Sequence, residues 1–161
     1  MAISYIINMD ELSVLSHFCG VSSIHGLPEP PKIASDKCET LVATLGEQGM
    51  IYRQGENVSV DMALRFVIVN ISCPSLFIKM PDSVLGYCNA ELGVVVAKDT
   101  RSVNKYRITP LQNASELAAK LWGESQWLQS IEIYLHYMNE SPKLLQMTKL
   151  ELETVIRKIY L

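Results

Sequence analysis

The sequence predicts an α+β fold: one domain, residues 1–161, in which helices cover a mixed or antiparallel sheet. Three observations predict it. Apolar residues recur at helical spacing in five stretches, strand-type runs lie between them, and residues 35–74 pass from helix to hairpin to helix with almost no linker. The length of 161 residues suits one compact core.

The elements follow in order. Ala2–Ile7 is an apolar run of strand type. A helix over 9–18 comes next, with Leu12, Leu15 and Phe18 on one side, Asn8 and Asp10 where it starts and Gly20 where it stops. Residues 20–34 hold three prolines and two glycines and form an irregular connection, which Leu27 and Ile33 anchor to the body. From Ser35, a plausible cap, a helix to residue 46 carries Cys38, Leu41, Val42 and Leu45 on one face. Met50–Arg53 and Val58–Val60 pair as a hairpin across Gln54-Gly55-Glu56-Asn57. Asp61 caps a helix over 61–72, whose Ala63, Leu64, Val67, Ile68 and Ile71 form a broad apolar face, ended by Cys73-Pro74. Helix, hairpin, helix gives this part a winged-helix-like order.

Further strands are expected near 75–80, after which Pro81-Asp82-Ser83 turns, and near 92–98 and 105–109, which form a hairpin. Asn113 or Ser115 caps a helix over 113–122 that Gly123 ends. Ser130–Met138 alternates with period two, placing a strand near 131–138. Asn139–Lys143 turns it, a strand returns over 144–150, and Leu152, Val155, Ile156, Ile159 and Tyr160 give a closing helix over 152–160.

Composition excludes several functions. A net charge of −3 gives no electrostatic case for nucleic acid or an anionic membrane. The helix that would read DNA carries Asp36, Glu39 and Glu47 against Lys37, and the hairpin offers Arg53 beside Glu56, whereas a duplex reader needs several cations. A winged-helix transcriptional regulator therefore stands as the alternative, with a small-molecule-binding domain or enzyme of unrecognised motif as a second. Phe66 to Ile78, the most apolar stretch, is broken by Asn70, Ser72, Pro74 and Ser75 and falls short of a membrane span. The start, MAISYIINMDE, lacks a basic n-region, so a cytoplasmic protein is expected.

No catalytic, metal or cofactor site is expected. His17, His25 and His136 lie in no metal-ligand pattern, and Cys19, Cys38, Cys73 and Cys88 contain no C-x-x-C and read as reduced core thiols. The Gly-rich phosphate, dinucleotide and nucleophile-elbow motifs do not occur. Cys38 lies near Asp36 and Glu39, which oppose a thiolate. Binding remains. Hydrophobic residues make up 48% of the chain and charged ones 19%, and the mean hydropathy is +0.15. Such a balance favours a covered apolar surface, either a protein partner's or a homodimer's. Trp122, Trp127, Tyr134, His136 and Met138 are the candidate partner-binding residues, since large amphipathic side chains are enriched at interfaces. In the 131–138 strand, Ile131, Ile133, Leu135 and Tyr137 go to the core and Glu132, Tyr134, His136 and Met138 to the other side.

One ordered set of residues points to a family. A strand leads into Asp10-Glu11-Leu12-x-x-Leu15, then come Gly20-Val21, Leu27-Pro28, a helix with Leu41 and Leu45 running into Gly49-Met50-Ile51, a hairpin, a Val60/Leu64 helix and Cys73-Pro74. This half of the chain resembles the EspG-type chaperones of ESX (type VII) secretion systems. The resemblance implies a cytosolic accessory protein, without catalysis, that binds secreted helical proteins before export.

Overall fold

The computed structural model of the chain describes residues 3–90, 92–123, 128–135 and 143–159. It contains β1 (Tyr5–Asn8), α1 (Met9–Cys19), α2 (Ser35–Glu47), β2 (Ile51–Gln54), β3 (Asn57–Val60), α3 (Met62–Ser72), β4 (Leu76–Lys79) and β5 (Leu85–Cys88). β6 (Gly93–Lys98), β7 (Lys105–Leu111), α4 (Ala114–Trp122), β8 (Gln129–Leu135), β9 (Lys143–Met147) and α5 (Lys149–Ile159) complete it. Seven strands form an antiparallel sheet in the order β1-β7-β6-β5-β4-β8-β9, and β2 and β3 form a separate hairpin. The fold is α+β, as the periodicities predict.

Strand alternation gives the sheet two apolar faces, and each has its own helical cover. Phe77, Leu85, Tyr87, Val94, Val96 and Ile108 pack with α1, α2, α3 and the hairpin in one cluster. Leu76, Ile78, Val95, Ile131 and Ile133 point the other way and pack with α4 and α5 in a second. The second layer sits close. A Cβ on Gly86 of β5 would stand 2.9 Å from Leu121, and one on Gly93 of β6 would stand 2.8 Å from Leu117. A side chain at either position would have to displace the Leu methyls of α4.

Side-chain caps set the helix starts. Asn8 and Glu11 form a reciprocal capping box at α1, Asp61 accepts from the N–H of Leu64 at α3, and Asn113 accepts from that of Glu116 at α4. α2 begins at Ser35 with Ala34 in the cap position and no side-chain cap, so Ser35 is the first helical residue and does not cap.

Two further expectations change. Residues 85–88 form β5, where the sequence gave no strand signal, because Gly86 interrupts the apolar pattern for the sake of Leu121. The strand expected over 144–150 stops at Met147, and α5 starts at Lys149. The cause is a second capping box: the Glu151 N–H donates to Thr148 Oγ1 at 3.2 Å while Glu151 Oε1 accepts from the Thr148 N–H at 3.2 Å.

Candidate partner-binding surface

Of the five residues expected to meet a partner, Trp127, His136 and Met138 lie outside the described residues, as do Tyr137, Tyr160 and the turn over 139–142. Trp122 is 3% exposed and packs within the second core cluster. Tyr134 is half-buried on the opposite face from Ile131 and Ile133, which are buried as expected. That opposite face is itself covered: the Tyr134 ring stands 5.2 Å from that of Phe77 and 5.5 Å from His25, and its hydroxyl donates to Glu132 at 3.0 Å. Burial first, and then the Glu132 carboxylate, push the Tyr134 phenol up.

His25 is brought there by the 20–34 connection. Its ring meets Phe77 edge-on at 4.5 Å, and its carbonyl accepts a hydrogen bond from the buried Tyr87 hydroxyl. Burial holds the imidazole below its ordinary value. The four rings of His25, Phe77, Tyr87 and Tyr134 thus clamp a proline-rich loop onto the sheet.

Several ionisable groups of the described residues are engaged in local contacts. Asp10 pairs with Lys37 at 2.6 Å. Burial opposes the charge of Asp99, but hydrogen bonding and charge from Arg107, 3.0 Å away, outweigh it and hold the carboxyl below the ordinary range. Cys88 is buried and its thiol is pushed up to about 12; burial also raises that of Cys19 against the lowering charge of Arg65. Cys73 is exposed, which departs from the expectation of four core thiols. Among the described residues no three His, Cys, Asp or Glu side chains gather as a metal site, and no helix is long and apolar enough to cross a membrane. In the winged-helix-like part, Arg53 of the hairpin is paired with Glu39 of α2 at 2.9 Å. The cation a DNA reader would present is committed within the element.

The surface that stands out was not among the sequence candidates. On α3, Leu64, Val67, Ile68 and Ile71 are buried against α1 and the sheet, while Met62, Phe66 and Val69 point outward, 85%, 47% and 42% exposed. Cys73, also exposed, follows at the C-terminal cap, where the backbone leaves the helix. Tyr52 of the hairpin, also exposed, stands at the N-terminal end of the row, its hydroxyl donating to Asp61 at 3.3 Å. A helix that is apolar on both sides is usually covered on both. A second apolar area lies at the sheet margin, where outer strand β9 exposes Leu144 and Leu145.

No protein-family model matches the sequence, and no curated protein matches it. The fold is similar to the solved structure of the Mycobacterium tuberculosis type VII secretion system chaperone EspG5 in complex with the PE25–PPE41 dimer, at 13% identity and a TM-score of 0.53. The match covers 74% of this chain and 50% of the other, so the chain spans about half the length of that structure. At this identity the likeness is one of fold.

Proposed function

We propose that the chain is a non-enzymatic protein-binding module of the chaperone kind, associated with type VII secretion, that holds a helical protein before export. The observation that carries the reading is the outward row Met62, Phe66 and Val69, an apolar face on an already well-buried helix that needs a cover. The fold adds support, because the similar structure is that of a chaperone holding a PE–PPE dimer. Three residues with perturbed acidity have structural partners, which supports the non-enzymatic reading: Asp99 is committed to Arg107, Tyr134 to Glu132, and Cys88 to the core.

The test is co-expression with small helical proteins encoded beside this chain, followed by size-exclusion chromatography. A comigrating complex that keeps such a protein in solution is the expected result. If every neighbouring helical product purifies apart from the chain, and the genes alongside include no secretion ATPase, the chaperone reading is wrong.

A further inference from the structure

We propose that the outward row of α3 is a docking seam for a single helix of a different protein, one that sets a carboxylate against Arg65. The proposal rests on the protein-binding reading in one respect, that the row is covered by a partner. Met62, Phe66 and Val69 follow one another at intervals of four and three residues, and exposed Cys73 comes four later at the C-terminal cap, where the backbone leaves the helix. This is the alternation of a coiled-coil seam, which takes the side chains of one facing helix as knobs. Leu64, Val67, Ile68 and Ile71 anchor the same helix from behind, so the seam is presented on a rigid element.

Charge separates a second copy from a different chain. The residues that flank the seam are Ala63 and Asn70 on one side and Arg65 and Ser72 on the other, and flanking residues set partner choice. Pairing α3 with itself antiparallel would place Arg65 against Arg65 or Ser72; pairing it parallel would place Arg65 against Asn70. Neither supplies an acid. Nor does this chain: no carboxylate of the described residues pairs with Arg65, and Asp61, one turn earlier, already accepts from the Leu64 N–H and the Tyr52 hydroxyl. An exposed guanidinium beside Phe66 is complemented by an Asp or Glu at the margin of a partner's apolar stripe, where it selects partner and register.

The probe is a pair of synthetic three-heptad helical peptides with Leu at the seam positions and either Glu or Lys at all flanking positions, titrated against the full chain by fluorescence anisotropy. The Glu peptide should bind about tenfold tighter than the Lys peptide, and Arg65→Glu should reverse that order. Phe66→Asp should abolish binding of both with an unchanged far-ultraviolet circular dichroism spectrum; Met62→Asp, at the more exposed position, serves if the first variant unfolds. Equal affinities, no binding of either peptide, or an Arg65→Glu variant that keeps the Glu preference would each overturn the proposal. So would a chain that sediments as a dimer and becomes a monomer on Phe66→Asp, or binding to phosphatidylglycerol vesicles lost in the same variant. A co-expressed partner retained by both Phe66→Asp and Arg65→Glu sinks the seam and spares the chaperone reading. Peptide discrimination without any such partner does the reverse.

Discussion

Gly26 lies against the far edge of the Phe77 ring: a Cβ at this position would stand 2.6 Å from Phe77 Cζ and 3.1 Å from Leu85 Cδ1. The φ of Gly26 is +83°, a left-handed conformation that a side chain strains even where there is space. Both effects act against any other residue here. Gly26→Ala should therefore destabilise the fold by about 2–3 kcal/mol, from backbone strain and overpacking together. Urea denaturation checks it, and a loss below about 0.5 kcal/mol would mean that the loop does not sit on Phe77.

The neighbouring residue brings a pH dependence. Burial lowers the folded-state pKa of His25 from 6.5, so the unfolded chain binds the proton more tightly. Stability is full above the unfolded value and falls as the pH drops below about 6.5 toward the depressed folded one. The urea midpoint should fall between pH 7.5 and 5.5 in the native chain, and His25→Phe should flatten that slope. An unchanged slope would place the ring in solvent.

Close approach of α4 to the sheet gives a coupled pair. Gly93→Ala should cost about 1–3 kcal/mol, since its new methyl meets Leu117. In a Leu117→Ala background the same substitution should cost about 1 kcal/mol less, because the opposing side chain has gone. A strictly additive double-mutant cycle would show that the two do not touch.

At the last helix, Thr148→Ala should lose about 1 kcal/mol by removing the cap that receives the Glu151 N–H, whereas Thr148→Asp should retain most of it. Thermal unfolding of the two variants side by side decides this, with equal midpoints counting against the capping box.

These particulars also show what the sequence makes legible. Period 3.6 and period 2 place all five helices and most strands, because each element buries one face and the spacing of buried residues is local information. β5 is missed because its Gly86 is required by Leu121, thirty-five positions later, and no local pattern announces a helix that will press on a strand. The start of α5 is legible in Thr148-x-x-Glu151, a capping signature hidden where Leu150 and Leu152 alternate with Lys149 and Glu151. The surface residues fare worst. Aromatic composition drew attention to Trp122, but composition does not tell which side of a helix meets a sheet, and Trp122 faces inward. The α3 row carried a signal of another kind: apolar residues on both sides of one helix, of which a search for a single buried face finds only half.

Ser4 near the start of the chain bonds to Thr109, and β1 pairs along its whole length with β7. On the ribosome, β1 therefore waits for a strand made about a hundred residues later, which at about 5–20 residues per second is about 5–20 s. Until then the backbone of β1 has no neighbour, and α1 has no finished sheet beneath it. Pairing at such separation is slow even in a released chain, since the loop must close before any contact rewards it. The nascent protein thus passes a period in which its own apolar underside is open to other chains.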